Sequence, residues 1–122
     1  MKLCAAKTKE EWRTRAIYQL LTDRFATSTG ASAECDIEIK GYCGGDWRGL
    51  INNLDYIQDM GFDAIWMSPV VENVEGQYHG YAAKNIYNIN PIFGGDADLR
   101  DLIAECHKRD IWVMVDVVAN HV

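Results

Sequence analysis

The chain has 122 residues, enough for one small domain and too few for a closed eight-fold β/α barrel, which typically takes about 250. Hydrophobic residues make up 48% and charged residues 25%, a balance that supports a packed core and excludes disorder. The formal charge of −6 argues against nucleic acid or an anionic membrane surface as partner, because both select basic patches. No apolar run approaches the ~20 residues of a membrane span.

The opening residues Met1-Lys2-Leu3-Cys4-Ala5-Ala6 have a basic start and a small-residue end, without the roughly 7–15-residue apolar centre of a secretory signal. Residues 16–21 are apolar around Gln19 and predict a first strand. Thr22-Asp23-Arg24-Phe25 leaves that strand, and a loop rich in Ser, Thr, Gly and Ala continues to Gly45. Trp47, Leu50, Ile51, Leu54, Ile57 and Met60 then recur at spacings of three and four, the pattern of one buried helical face. Asp46 suits the N-cap of that helix and Gly61 its left-handed end. The run Ala64-Ile65-Trp66-Met67, closed by Ser68-Pro69, predicts a second strand. Residues 72–95, rich in Tyr, Asn and Gly, read as a long loop. A second helix is expected over 97–109, capped by Asp96, with Leu99, Leu102, Ile103 and Cys106 as its buried stripe and Lys108 and Arg109 at its negative end. Residues 111–118 form a β-branched apolar run, predicting a third strand buried on both faces.

Cys35 and Cys43 bracket a short polar loop. They are either a disulfide, which would imply an oxidising compartment, or two free thiols. Zinc is disfavoured, since no tight Cys-x-x-Cys pair exists. Cys106 reads as a small core residue and Cys4 has no evident partner.

The order β-α-β-α-β, with strands lacking clean alternation, fits parallel strands joined by right-handed crossovers. Two architectures satisfy it: half of a doubly wound sheet, or the first three strands of a (β/α)8 barrel. A dinucleotide-binding sheet requires a glycine-rich turn directly after its first strand. Thr22-Asp23-Arg24-Phe25 is not such a turn, so the barrel is favoured.

Parallel strands would gather three clusters at one mouth: Asp23-Arg24-Phe25, Tyr78-His79-Gly80-Tyr81, and Asp116 with Asn120 and His121. Aromatic faces pack on the C–H faces of sugar rings, while imidazole, amide and carboxylate groups bond hydroxyls. The set suits an uncharged polyol better than a phosphate, which calls for a glycine-rich nest or several Arg. Each residue also has a plainer reading: Asp23 and Arg24 as a surface pair, Tyr78 and His79 as a loop plug, Asn120 as a turn residue, His121 as an ordinary loop histidine. Asp116 resists this, because a carboxylate inside an apolar run must be paired or hydrogen-bonded. An Arg from a neighbouring strand would satisfy it.

Asp116-Val117-Val118-Ala119-Asn120-His121 resembles the first signature region of the alpha-amylase family, glycoside hydrolase family 13. The resemblance is to fungal-type members, and it extends through Trp12-Arg13, Ile17-Tyr18, Leu21-Thr22-Asp23-Arg24-Phe25, Tyr42-Cys43-Gly44-Gly45, Leu54-Asp55-Tyr56-Ile57, Met60-Gly61-Phe62, Ala64-Ile65-Trp66, Tyr78-His79-Gly80-Tyr81 and Ile86-Tyr87. It implies that residues 1–122 are the N-terminal part of the catalytic domain, the first three β/α units of an incomplete (β/α)8 barrel. It implies retaining hydrolysis of internal α-1,4 bonds in starch and glycogen by a secreted, monomeric parent enzyme. Tyr81 would stack on the sugar at the cleavage subsite, His79 would belong to the same wall, and His121 would bond a hydroxyl of that sugar. Asn120 would place its side-chain oxygen on a structural calcium, Asp116 would support the site, and Cys35 and Cys43 would be disulfide-bonded. Two departures from the fungal pattern stand out: Ala82 where a substrate-contacting Trp is common, and Lys40 where a neutral amide is usual. The family's nucleophile, acid/base and third carboxylate would lie beyond Val122, so the chain as given is expected to be inactive alone and, with open sheet edges, prone to self-association. A transglycosylase of the same family, or a non-catalytic carbohydrate-binding product, are the alternatives.

Overall fold

The computed structural model describes residues 6–30, 35 and 41–120. Cys4, Lys40, His121 and Val122, each singled out above, lie outside them. A short helix α1 (Lys9–Trp12) opens the described chain and carries a capping box between Thr8 and Glu11. Strand β1 (Ile17–Leu20) follows and runs into the one-turn helix α2 (Thr22–Phe25). Helices α3 (Trp47–Asn52) and α4 (Leu54–Asp59) lead to β2 (Ala64–Met67), and a hairpin of β3 (Val71–Asn73) and β4 (Ala83–Ile89) interrupts the β/α rhythm. Helix α5 (Asp96–Lys108) and strand β5 (Trp112–Val115) complete it.

The main sheet has the order β1-β2-β5, parallel throughout. Its register places Tyr18, Ile65 and Val113 in one row and Leu20, Met67 and Val115 in the next. All six belong to the core, which the helices complete with Trp47, Leu50, Leu54, Ile57, Leu102 and Cys106. The intervening rows, Ile17-Ala64-Trp112 and Gln19-Trp66-Met114, turn to the other face. Ile17 and Gln19 are exposed there. The expectation of burial on both faces is met in β2, where Ala64 and Ile65 on opposite faces are fully buried, but not in β5: Trp112 to Val115 are half-buried on both faces, and regular pairing ends at Val115, short of 118.

Three further expectations are corrected. The predicted helix over 47–60 is two helices, because the Asn53 side-chain amide donates to the Gly49 carbonyl at 2.8 Å and competes there with the backbone ladder. Asp46 does cap the first half, accepting from the Gly49 N–H, and Gly61 closes the second with φ 89°. Met60, placed on the buried stripe, is exposed beyond the turn. The second helix starts one residue earlier than expected, with Gly95 as N-cap. Asp98, not Asp96, reaches back to its N–H at 2.8 Å. The expected loop over 72–95 is instead largely occupied by the β3–β4 hairpin, which begins at Val71 and whose register shifts at both Val71/Glu72 and Glu72/Asn73 blur the two-residue alternation that reveals a strand.

Candidate functional site

The C-terminal ends of β1, β2 and β5 meet at one rim. Thr22 and Ser68 tie the first two strands together there: the Ser68 Oγ accepts from the Thr22 N–H and donates to the Thr22 hydroxyl, both at 3.1 Å. Beside them lies a hollow of about 170 Å³ lined by Gln19, Leu20, Leu21, Trp66, Met67, Ser68, Tyr81 and Asp116. That is below the roughly 300 Å³ at which drug-sized pockets begin, and it suits a single small ring.

Tyr81 and Asp116 form the polar side of this hollow. The Tyr81 hydroxyl donates to Asp116 Oδ2 at 2.6 Å, and the Asp116 N–H donates to the Met67 carbonyl at 3.1 Å. The bond to Asp116, reinforced by partial burial and the carboxylate's charge, holds the Tyr81 phenol above its ordinary pKa. Asp116 is thus partnered by a tyrosine from the hairpin loop, in place of the Arg expected from a neighbouring strand.

His79 fixes Tyr81 from behind. Its ring stacks on the Tyr81 ring with centroids 5.7 Å apart and planes 17° apart. Its Nδ1 accepts from the Tyr81 N–H at 2.9 Å, so the Nε2 carries the proton and donates to Gln77 Oε1 at 2.8 Å. His79 lines the rear of the wall and not the hollow itself. Tyr78, grouped with these rings as a possible platform, is turned elsewhere: its face is covered by the Arg24 guanidinium at 3.7 Å.

The Asp23–Arg24 pair is no surface pair. Asp23 is fully buried and accepts from the Cys43 N–H at 2.8 Å and the Gly44 N–H at 3.2 Å, with Arg24 Nε 2.9 Å away. Cys35 and Cys43 are disulfide-bonded, with Cα atoms 5.4 Å apart. Asn120 is exposed past the end of β5. Among the described residues no three His, Cys, Asp or Glu come together to hold a metal ion.

Sequence reasoning missed Gln19, Trp66 and Ser68 as lining residues. Gln19 and Trp66 share the open face near the strand tips, a signal readable only once the register is known. Ala82, where fungal relatives commonly carry a substrate-contacting Trp, donates its N–H to the side-chain Oδ1 of the buried Asn73 at 2.9 Å and adds no ring to the wall.

The strand order β1-β2-β5 is common to a doubly wound half-sheet and a barrel segment, so the sheet alone does not separate them. Likeness to solved proteins does. The structure matches an alpha-amylase from Malbranchea cinnamomea with TM-score 0.91 and 50% identity, covering 94% of this chain and 26% of that one. It matches an alpha-amylase of Geobacillus thermoleovorans, solved with acarbose, with TM-score 0.76 and 41% identity over 90% of this chain and 25% of that one. The architecture is accordingly the first three β/α units of a (β/α)8 barrel. Residues 19–122 also match the family model described as alpha amylase, catalytic domain, and the alpha-amylase of Saccharomycopsis fibuligera is 53% identical over 92% of this chain and 24% of its own length. The chain belongs to the alpha-amylase family. It spans about a fifth to a quarter of the length of the relatives it matches.

Proposed function

We propose that the full-length protein is an alpha-amylase, cleaving internal α-1,4 bonds of starch and glycogen with retention of configuration, and that this stretch of chain builds the wall that receives one glucose unit. The observation that carries this reading is the Tyr81–Asp116 pair on a ring-sized hollow at the carboxyl ends of parallel strands, where barrel enzymes place their sites. Tyr81 stacks on the sugar, Asp116 holds its hydroxyl and so its ring angle, and His79 braces it. His121 bonds a sugar hydroxyl.

Retaining cleavage takes two carboxyl groups about 5–5.5 Å apart, one as nucleophile and one as acid/base. Asp23 is unsuited to either role, since it is fully buried and its oxygens are bound by Cys43, Gly44 and Arg24. Asp116 is engaged by Tyr81. The bond-breaking carboxylates are assigned to chain outside the described residues, and this stretch contributes binding and orientation.

A structural calcium takes about six to eight oxygens. Among the described residues no three His, Cys, Asp or Glu come together around an ion; Asn120 would supply one side-chain oxygen, and no step of the reaction is routed through the ion. The Cys35–Cys43 disulfide favours an oxidising compartment and hence secretion. Among the described residues no helix is long and apolar enough to cross a membrane.

The test is to titrate the full-length protein with acarbose and to follow reducing-end release from soluble starch, reading the anomeric form of the fresh product by NMR. Binding with α-anomer release is expected. No heat at millimolar acarbose together with no release from starch would sink the reading; transfer to a second glucan in place of water would replace hydrolysis by transglycosylation.

A further inference from the structure

Arg24 joins two features that the glucan-binding reading leaves separate, the disulfide loop and the aromatic wall. Its guanidinium meets three partners, but only Nη1 and Nη2 form hydrogen bonds; Nε lies in ion-pair range of Asp23 without one. Nε faces Asp23 Oδ2 at 2.9 Å, Nη1 faces Cys35 Sγ at 2.6 Å, and Nη2 donates to the Gly41 carbonyl at 2.9 Å. Its Cζ lies over the Tyr78 ring, 3.7 Å from the ring centre. Tyr78 meets His79 edge-on at 5.5 Å, His79 stacks on Tyr81, and Tyr81 ends on Asp116. A planar cation can bond in its plane and stack on its face at once; a lysine ammonium cannot. Arg24 does not line the hollow, so its effect on a ligand is indirect, and Tyr78 is the aromatic contact through which its side chain reaches the wall.

We infer that Arg24 is a positioning residue: held by Asp23, Cys35 and Gly41, it sets the plane of Tyr78 and through it the His79–Tyr81 stack, and so tunes sugar affinity. The affinity part rests on the reading of Tyr81 as a sugar platform; the orientation part does not. A purely structural clamp would alter stability and leave the wall where it is.

The experiment uses the full-length protein with Arg24→Lys, Tyr78→Leu, their combination and Tyr78→Phe, held well below the lowest unfolding midpoint. Without ligand, the ring-proton NMR shifts of His79 and Tyr81 are expected to move in Arg24→Lys and Tyr78→Leu and to stay in Tyr78→Phe, which keeps the ring. With acarbose, Arg24→Lys and Tyr78→Leu are each expected to bind about fivefold more weakly, a loss of the size a stacked cation supports, and the double variant no more weakly than Tyr78→Leu. Unmoved shifts in both Arg24→Lys and Tyr78→Leu would overturn the inference, as would additive losses in the double variant. Moved shifts with no acarbose binding by the unaltered protein would uphold the orientation role and strike instead at the glucan reading. Tyr78→Leu leaves the Arg24 clamp intact, so the question stays answerable if Arg24→Lys fails to fold.

Discussion

The Tyr81 hydroxyl reaches across 35 residues of sequence to the Asp116 carboxylate at 2.6 Å, joining the hairpin loop to the tip of β5. Two segments that share no backbone pairing are thereby locked at the rim of the same hollow. Removing the hydroxyl by Tyr81→Phe should cost under about 1 kcal/mol, because the pair is open to water. The sign of its pH dependence is set by the raised phenol pKa: the contribution is complete below the ordinary tyrosine range and is lost as pH rises through the folded-state value. Alkaline ultraviolet titration should show two tyrosines ionising late, Tyr18, raised by burial, and Tyr81, and Tyr81→Phe should remove one of the two.

Asp23 should be far less forgiving. It is fully buried and faces Arg24 and the Cys43 and Gly44 N–H groups at once. Asp23→Asn leaves a half-buried guanidinium without its counter-ion and sets a donor NH2 where a second carboxylate oxygen accepted from the backbone N–H groups. A loss of about 3–5 kcal/mol is expected, measured by chemical denaturation. A loss under 1 kcal/mol would show that the pair does not anchor the loop.

Gly49 and Gly61 offer a matched contrast. A Cβ at Gly49 would stand 2.1 Å from the Ala26 carbonyl oxygen, so Gly49→Ala must push α3 away from the end of α2. At Gly61 nothing lies within 4 Å, but φ is +89°, so Gly61→Ala meets only backbone strain, about 1–2 kcal/mol. Thermal unfolding should therefore place the midpoint of Gly49→Ala below that of Gly61→Ala. The reverse order would contradict the close approach of the two segments.

Cys106 is fully buried in the core, and burial pushes its thiol up to about 12. Native protein should leave this thiol unlabelled by a thiol reagent at neutral pH and expose it on denaturation, as read by mass spectrometry. A raised folded-state pKa means the unfolded chain loses its proton first. Stability from this group is complete below about pH 9 and declines toward about pH 12. Cys106→Val should flatten that part of the alkaline stability curve.

The parallel strands, both helical stripes and the Asp46 cap were legible because each depends on neighbours within a few residues: spacing of three and four writes a buried face, and a continuous apolar run writes an inner strand. The hairpin was not legible, since β3 and β4 pair through shifted register and carry mixed burial with no alternation. The break at Asn53 hid for the opposite reason, a local side-chain bond inside an otherwise unbroken helical pattern.

The same division runs through the site. The motif residues themselves, Tyr81, His79, Asp116 and the cysteine pair, were written in the one-dimensional order of the chain, and so was family membership, because identity and spacing are properties of sequence. Partnership was not. That Asp116 bonds Tyr81 and no arginine, that Arg24 sits over the Tyr78 ring, that Asp23 is buried beneath Cys43, and that Gln19 and Trp66 share a face are all outcomes of strand register and loop packing. Contacts between residues tens of positions apart carry no periodic trace in the sequence; they exist only once the parallel sheet has set which side chains arrive at its rim.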